Sequence, residues 1–338
     1  ALERITDHLQ PTDGIPRQIL WKIYSKQTIL CAGATERPIA FGNNDRPGIM
    51  LAGAVRTYVN RWGVMPGKRV AVFTNNDDGW RTAVDLATKG VEITAVIDSR
   101  TGTPPAELPG TAIVMGGRVV DTKGRHGISS LILMNGQTIS ADCLAVSGGW
   151  SPNVYLTCHH GSRPIWREDI AGFVPGKEIP GGMTVAGAAG GSLTLASALK
   201  DGSTAGNIAA KALGYSPAPN TKIKAKNENN KISAFWYVKE SHARAWLDLQ
   251  NDVTVTDVKL SHQEGFRSVE HLKRYTTLGM ATDQGKTANI PALAVMAECT
   301  GKSISETGTT IFRPPYTPIP IAAFAGRSRG KDFRPYRL

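Results

Sequence analysis

The sequence predicts an α/β protein built from nucleotide-binding units, on three observations. From Gly67 it reads GKRVAVFTNNDDGWRTAVDLATKGVEITAVIDSR, a strand–turn–helix–strand succession. Met183–Ala186 then opens into a second glycine turn that leads to a small-residue helix. The 36 glycines suit the tight turns that such units need. A length of 338 residues allows two or three domains with real cores.

Taken in order, Gln27–Cys31 is a short apolar strand running into the small-residue turn Ala32–Pro38. Ile49, Leu51, Val55 and Val59 predict a helix over Gly48–Trp62. Val70–Phe73 is a buried strand, Thr82–Thr88 an amphipathic helix, and Val91–Ile97 a second strand ending at Asp98. Ala112–Met115, Gly117–Asp121 and Ser129–Met134 alternate between polar and apolar residues and predict antiparallel strands. Cys143–Val146 returns as a strand and ends at Ser147–Asn153. After Met183–Ala186 and the Gly187–Thr194 turn, a helix runs to about Leu213. Ser216–Lys231 is rich in Pro, Asn and Lys and reads as a linker or exposed excursion. Helices follow at Val255–Glu264, Val269–Gly279 and Ala288–Thr300, with the Gly279–Thr287 loop between the last two. Prolines and arginines make Thr310–Leu338 an extended segment.

The turn after Val70–Phe73 has lost its glycines. A dinucleotide site places G-x-G-x-x-G there, so that backbone amides approach a pyrophosphate at the helix start. Thr74 and Asn76 stand at the first two glycine positions, and only Gly79 survives. Asp77 and Asp78 add negative charge where a phosphate would sit. That turn reads as a weak or dead site. The Gly187–Thr194 turn is uncharged and permits either a phosphate at the helix start or close helix–strand packing.

Composition narrows the function classes. No apolar run reaches the ~18 residues of a membrane span, and the N-terminus has no signal-peptide apolar region. It reads as the middle of a strand in a larger domain. Cys31, Cys143, Cys158 and Cys299 form no C-x-x-C, which argues against a redox dithiol or zinc knuckle and for reduced thiols in a cytoplasmic protein. The net charge of +11 is scattered except near Lys222–Lys231 and Arg327–Arg337. Nucleic-acid binding is one reading of it; a basic face towards an acidic subunit or an anionic cofactor is another. His159 and His160 are adjacent, a poor arrangement for one metal, and His271 reads as a helix residue. Glu36 and Arg37 read as an ion pair pinning the turn, or Arg37 as a pyrophosphate contact, and Trp150 as packing.

Several motifs now fall into order. Gly33-Ala34-Thr35-Glu36-Arg37-Pro38, Gly149-Trp150-Ser151-Pro152-Asn153 and Val185-Ala186-Gly187-Ala188 resemble the turns of two-dinucleotide-domain flavoproteins. With Gly265–His271, Arg274–Lys286 and Phe312–Pro318, the whole chain resembles the alpha subunits of heterotetrameric sarcosine oxidases. The resemblance implies an α/β, FAD/NAD(P)-binding-type body with a small helical ferredoxin-like module that lacks its cluster. It divides the chain into part of a dinucleotide domain (1–66), an inserted degenerate nucleotide-binding unit (67–146), a return to the first domain (147–215), a linker (216–233), the small module (234–308) and an extended connection (309–338). It also implies that the family's N-terminal glycine-rich unit and C-terminal aminomethyltransferase-like domain lie outside this sequence.

The resemblance implies a division of labour as well. The alpha subunit binds NAD, and FMN is shared at the subunit interface. FAD lies in the beta subunit, where sarcosine is oxidised; electrons reach oxygen through FMN and give hydrogen peroxide. Tetrahydrofolate takes the one-carbon unit elsewhere in the heterotetramer. NAD contacts are expected at Gly33, Ala34, Gly187, Ala188, Leu193 and Thr194, where Ala188 replaces the acid that meets a flavin ribityl hydroxyl. Asp248, Gln250, Asp283 and Ala288 fall at the cysteine positions of C-x-C and C-x-x-x-x-C, so no iron–sulfur cluster and no metal is expected. Thr282, Gln284, Gly285, Lys286 and Thr287 then form a loop suited to the FMN phosphate. Without the resemblance, Thr287 reads as a helix cap and Lys286 as solvated. Other functions left open are the alpha subunit of a dye-linked amino-acid dehydrogenase, such as one acting on proline, and a cofactor-free structural or nucleic-acid-binding subunit.

Overall fold

A computed structural model describes residues 2–4, 9–10, 15–217, 225–226 and 228–325. Its centre is a parallel five-stranded sheet in the order Ile49–Leu51, Cys143–Ser147, Arg69–Thr74, Glu92–Asp98, Ala112–Met115. Successive side chains of a strand face opposite ways, and the central strand uses both faces. Val70 and Val72 pack under the helices Ala52–Trp62 and Asp77–Thr88, with Val55, Trp80 and Leu86. Ala71 and Phe73 face an antiparallel layer made of Val119–Lys123, Ser130–Leu133 and Thr138–Ser140, through Val119, Leu131 and Leu133. Helices on one face and a small antiparallel layer on the other leave the C-terminal ends of the parallel strands as the open edge, where this architecture takes ligands.

Two elements differ from their sequence reading. Ile49–Leu51 is a strand, and the helix begins only at Ala52. Pairing with buried Leu144–Val146 overrides the helical spacing there. Ala112–Met115 joins the parallel sheet beside Glu92–Asp98 instead of the antiparallel layer, because the 99–111 connection crosses over and returns it as an edge strand.

A second strand pair, Thr28–Leu30 with Met183–Val185, is also parallel. Beyond its ends come the Ala32–Pro38 turn and the Gly187–Gly190 turn, the latter leading to the helix Leu195–Ala212. The small module has its own core. Val255 and Val258 of the helix Val255–Gln263, Leu272 of Val269–Thr276, and Ala292, Val295 and Met296 of Asn289–Thr300 close on Tyr237 and Leu247. Trp236 ties this core to Trp166, Phe173 and Ile290. Thr310–Pro320 is without regular structure before a short helix at Ile321–Ala325. The basic tail Arg327–Arg337 and much of the excursion, 218–224 and 227, lie outside the described residues. No helix among the described residues is long and apolar enough to cross a membrane.

Candidate functional site

The glycine-poor turn is filled by the chain itself. Asn76 caps the helix Asp77–Thr88, its Oδ1 accepting from the Asp78 and Gly79 N–H groups. These are amides that a phosphate would otherwise meet. Gly79 survives for packing: a Cβ there would run into the Thr74 side chain. Asp98, at the end of the second strand, accepts from Trp80 Nε1 at 2.7 Å and pairs with Arg100 at 2.8 Å. Arg100 also reaches Asp77 Oδ1 at 2.8 Å and the Lys231 carbonyl at 2.9 Å. The segment around Lys231–Ser233 lies across the turn: Asp77 N–H donates to Lys231 O, Lys231 N–H to Asp77 Oδ2, and Ser233 N–H to Asn75 O. Trp150 Nε1 donates to Asp78 from the other side.

The Ala32–Pro38 turn is arranged otherwise. Glu36 and Arg37 form no ion pair. Glu36 Oε2 accepts from Gly53 N–H at 2.6 Å, serving the uncapped start of the Ala52–Trp62 helix, while Oε1 is buried without a partner. Burial pushes the Glu36 carboxyl up to about 7. Arg37 donates to Gly148 O, Trp150 O and Ser151 Oγ and lies over the Trp236 ring; burial lowers it to about 9. It pins the crossover to the helical module and lines none of the cavities discussed below.

The residues expected to meet NAD lie beyond the Thr28–Leu30/Met183–Val185 pair. Gly33 takes a positive φ of 72°, and a Cβ there would have nothing within 4 Å. Gly187 has φ 68°, and Ala186 N–H donates to Leu30 O, keeping the two turns side by side. Thr194 caps the following helix by accepting from Ser197 N–H, and Leu195 N–H donates to Glu228 Oε2 at 3.4 Å. Gly33, Ala34, Gly187 and Ala188 are half-buried, as are Leu193 and Thr194.

The module's loop faces a second place. A cavity between body and module is lined by Thr35, Ser151 and Asn153 of the body turns, by Gly285 and Lys286, and by Phe312 and Tyr316. Four of the sequence motifs thus meet in one wall. Tyr316 stacks on Tyr155 with centroids 3.7 Å apart and donates its hydroxyl to Asn153 Oδ1 at 3.1 Å. The Lys286 ammonium lies 4.2 Å from the Tyr316 ring centroid, and no ion pair engages it among the described residues. Gln284 lies outside this cavity, its Nε2 tied to the carbonyls of Arg313 and Pro315. Thr282 is exposed and Thr287 half-buried; neither lines the cavity. The helix Asn289–Thr300 has Ala288 at its start and no side-chain cap, so Thr287 is not a capping residue.

Of the positions read as lost cluster ligands, Asp248 bridges the two loops. The Asp248 carboxylate is buried and accepts from Gln250 N–H, Asn251 N–H and Gly279 N–H, at 2.9, 3.2 and 2.8 Å. Asn251 Nδ2 adds a bond to Thr277 O. Asp283 accepts from Gly285 N–H. The Asp248 carboxylate and the Asn251 amide join the two loops, whereas Asp283 bonds within its own loop. No group of three or more His, Cys, Asp or Glu gathers as a metal site among the described residues. His159 ends a short helical turn and His271 is exposed. Sequence reasoning did not single out Thr35, Asn153 and Tyr316 as site residues. All three lie in quoted motifs, but only the docking of the 312–318 segment onto the body brings them to Lys286.

A parallel sheet with helices and an antiparallel layer, glycine turns at strand ends and a docked helical module define a dinucleotide-binding, flavoprotein-type body. The fold matches that of L-proline dehydrogenase from P. horikoshii, with a TM-score of 0.69 and 20% identity over 88% of this chain and 58% of that one. A model of the sarcosine oxidase A3 domain matches residues 242–327. All of the chain aligns with sarcosine oxidase subunit alpha of Rhizobium meliloti (strain 1021), at 39% identity over 35% of that protein. The counterpart from Corynebacterium sp. (strain P-1) is 38% identical, over 37% of its length. Over its whole length the chain is similar to sarcosine oxidase alpha subunits, and it spans about a third of the length of the curated relatives it matches.

Proposed function

We propose that the protein works as the alpha subunit of a heterotetrameric sarcosine oxidase. The complex demethylates sarcosine oxidatively to glycine, on FAD held by a beta subunit. Electrons pass through FMN to oxygen, giving hydrogen peroxide, and tetrahydrofolate takes the one-carbon unit. This chain supplies NAD binding and one wall of the FMN interface, and the complex works in the cytoplasm.

The observation that carries the reading is the Lys286 ammonium, which has no carboxylate partner among the described residues and sits where the body turns, the module loop and Tyr316 converge. Cations of that kind suit a phosphate monoester. Bound FMN would supply one- and two-electron transfer; Lys286 and Gly285 would hold its phosphate, and Gln284 would fix the adjoining backbone. Thr282 and Thr287 are supporting residues at most, since neither faces the cavity. NAD fits the first body's turns, because Gly33 leaves room for close backbone approach and Gly187 takes a conformation that favours glycine. Its role there is structural, with Gly33, Ala34, Gly187, Ala188, Leu193 and Thr194 in contact.

Nucleotides extracted from the purified complete complex should include NAD and FMN. Exchange of Lys286 for Ala should lower FMN content per FAD, with NAD content unchanged. An FMN content equal to that of the parent complex would remove Lys286 from the flavin site.

A further inference from the structure

We propose that the open recess between the Val269–Thr276 helix and the Thr309–Arg313 segment is an anion site of its own, taking a phosphate ester or diphosphate. Arg163, Lys273, Arg274 and Arg313 line it, against a single carboxylate, Glu270. None of the four cations enters an ion pair among the described residues. Surface cations of this chain find carboxylates elsewhere, as Arg56 does with Asp85 and Lys239 with Glu298. Here like charges are held together instead. Burial and the nearby Arg313 both lower the Lys273 ammonium from its ordinary value, with Glu270 opposing.

The arrangement is built rather than incidental. Gln284 sits at φ 54°, a left-handed conformation rare for a residue with a side chain. Its amide grips the Arg313 backbone from both sides: Oε1 accepts from Arg313 N–H and Nε2 donates to Arg313 O, each at 2.9 Å. The backbone of Arg313 is therefore fixed while its guanidinium enters no ion pair among the described residues. An arginine fork beside a lysine point charge matches a phosphoryl group. Exposed Met280 and Ile311 provide an apolar ledge beside the cations, which favours an esterified phosphate over a bare inorganic ion. The recess shares Thr309 and Thr310 with the Lys286 cavity but none of its cations, and the inference does not rest on FMN.

Titration calorimetry of the full-length chain with pyrophosphate at low salt tests it. One saturable site is expected. The double exchange of Lys273→Met and Arg313→Met should weaken binding at least tenfold, whereas Lys286→Ala should leave it within twofold. Arg163 and Arg274 are exposed, so exchanging both to Met gives a second variant that keeps the fold; it should weaken binding several-fold. The proposal is overturned by the absence of saturable heat, by several equivalent sites, by parental affinity in both double variants, or by a loss confined to Lys286→Ala. FMN content in the Lys286→Ala complex answers the separate question of the flavin site.

Discussion

Two loops of this chain precede helices where a phosphate could bind, and the chain has treated them oppositely. At Thr74–Gly79 the first helical amides are taken by Asn76, and Arg100 is shared between Asp98, Asp77 and Lys231 O. At Gly279–Thr287 the local amides are also tied, Gly285 N–H to Asp283. Yet the Lys286 ammonium lies over an aromatic ring and enters no ion pair among the described residues. Both loops lack the residues that the ligand expected of such a loop would need: glycines in one, cysteines in the other. What separates them is whether each charged group already has a partner within the fold. A helix start with its amides and charges satisfied is a structural joint. One that leaves a cation unpaired keeps the capacity to bind.

The sharpest way to break the comparison is at Arg100. If the turn is a filled joint, exchange of Arg100 for Ala leaves Asp98, fully buried, and Asp77 without their cation. Loss of one partner of a buried pair costs about 3–5 kcal/mol, read as a lower urea midpoint with unchanged slope. A loss under about 1 kcal/mol would mean that water already reaches the turn and that it is not closed.

Much of this was legible in the sequence, for reasons that can be located. Val70–Phe73 and Asp98 mark the central strands because buried parallel strands read as apolar runs. The missing glycines at Thr74 and Asn76 marked a turn unlike a dinucleotide site, and Asn76 takes the helix-start amides there. The residues that fill it could not be foreseen: Lys231 lies 154 positions from Asp77 and shows no periodicity. Glu36 and Arg37 look like an ion pair in sequence, yet the strand Ala34–Glu36 pairs antiparallel with Trp150–Pro152 and sends successive side chains to opposite faces. Ile49–Leu51 carries helical spacing, but partnership with Leu144–Val146 made it a strand. In the candidate site, Gly285 and Lys286 were visible in their loop, whereas Tyr316 and Asn153 became site residues only through tertiary docking.

Glu36 sharpens the comparison with a third case, a carboxylate at a helix start that enters no ion pair among the described residues. Its folded-state pKa of about 7 lies above the 4.5 of an ordinary glutamate. The folded state therefore holds its proton more tightly than the unfolded chain. The stabilising contribution is complete below about pH 4.5 and is lost as pH rises through 7. The shift corresponds to about 3 kcal/mol. Glu36→Gln should match the parent near pH 4.5 and be more stable above pH 7, with denaturant unfolding at several pH values as the check. Parallel pH profiles for the two proteins would show that Glu36 is ionised and satisfied by the Gly53 amide together with Ser147 and the Arg56 charge.

The smallest effect is expected at Asp248, where the comparison turns on what replaced a cluster. The carboxylate spans two loops, one oxygen accepting from Gln250 and Asn251 and the other from Gly279. Exchange of Asp248 for Asn keeps the shape and one accepting oxygen, but sets an amide NH2 against a backbone donor. A buried amide left unpaired costs about 1–3 kcal/mol, felt first where the loops join. Amide exchange at Gly279 should therefore quicken, with Gln250 and Asn251 little changed. The Thr74–Gly79 turn, held by its own contacts, should keep its protection. Because Gly279 opens the segment that carries Lys286, the variant also tests whether that ammonium is placed by the tether. FMN content falling together with Gly279 protection ties the two. FMN content held steady while Gly279 opens would mean that Tyr316 and the Gln284 grip on Arg313 suffice to position the loop.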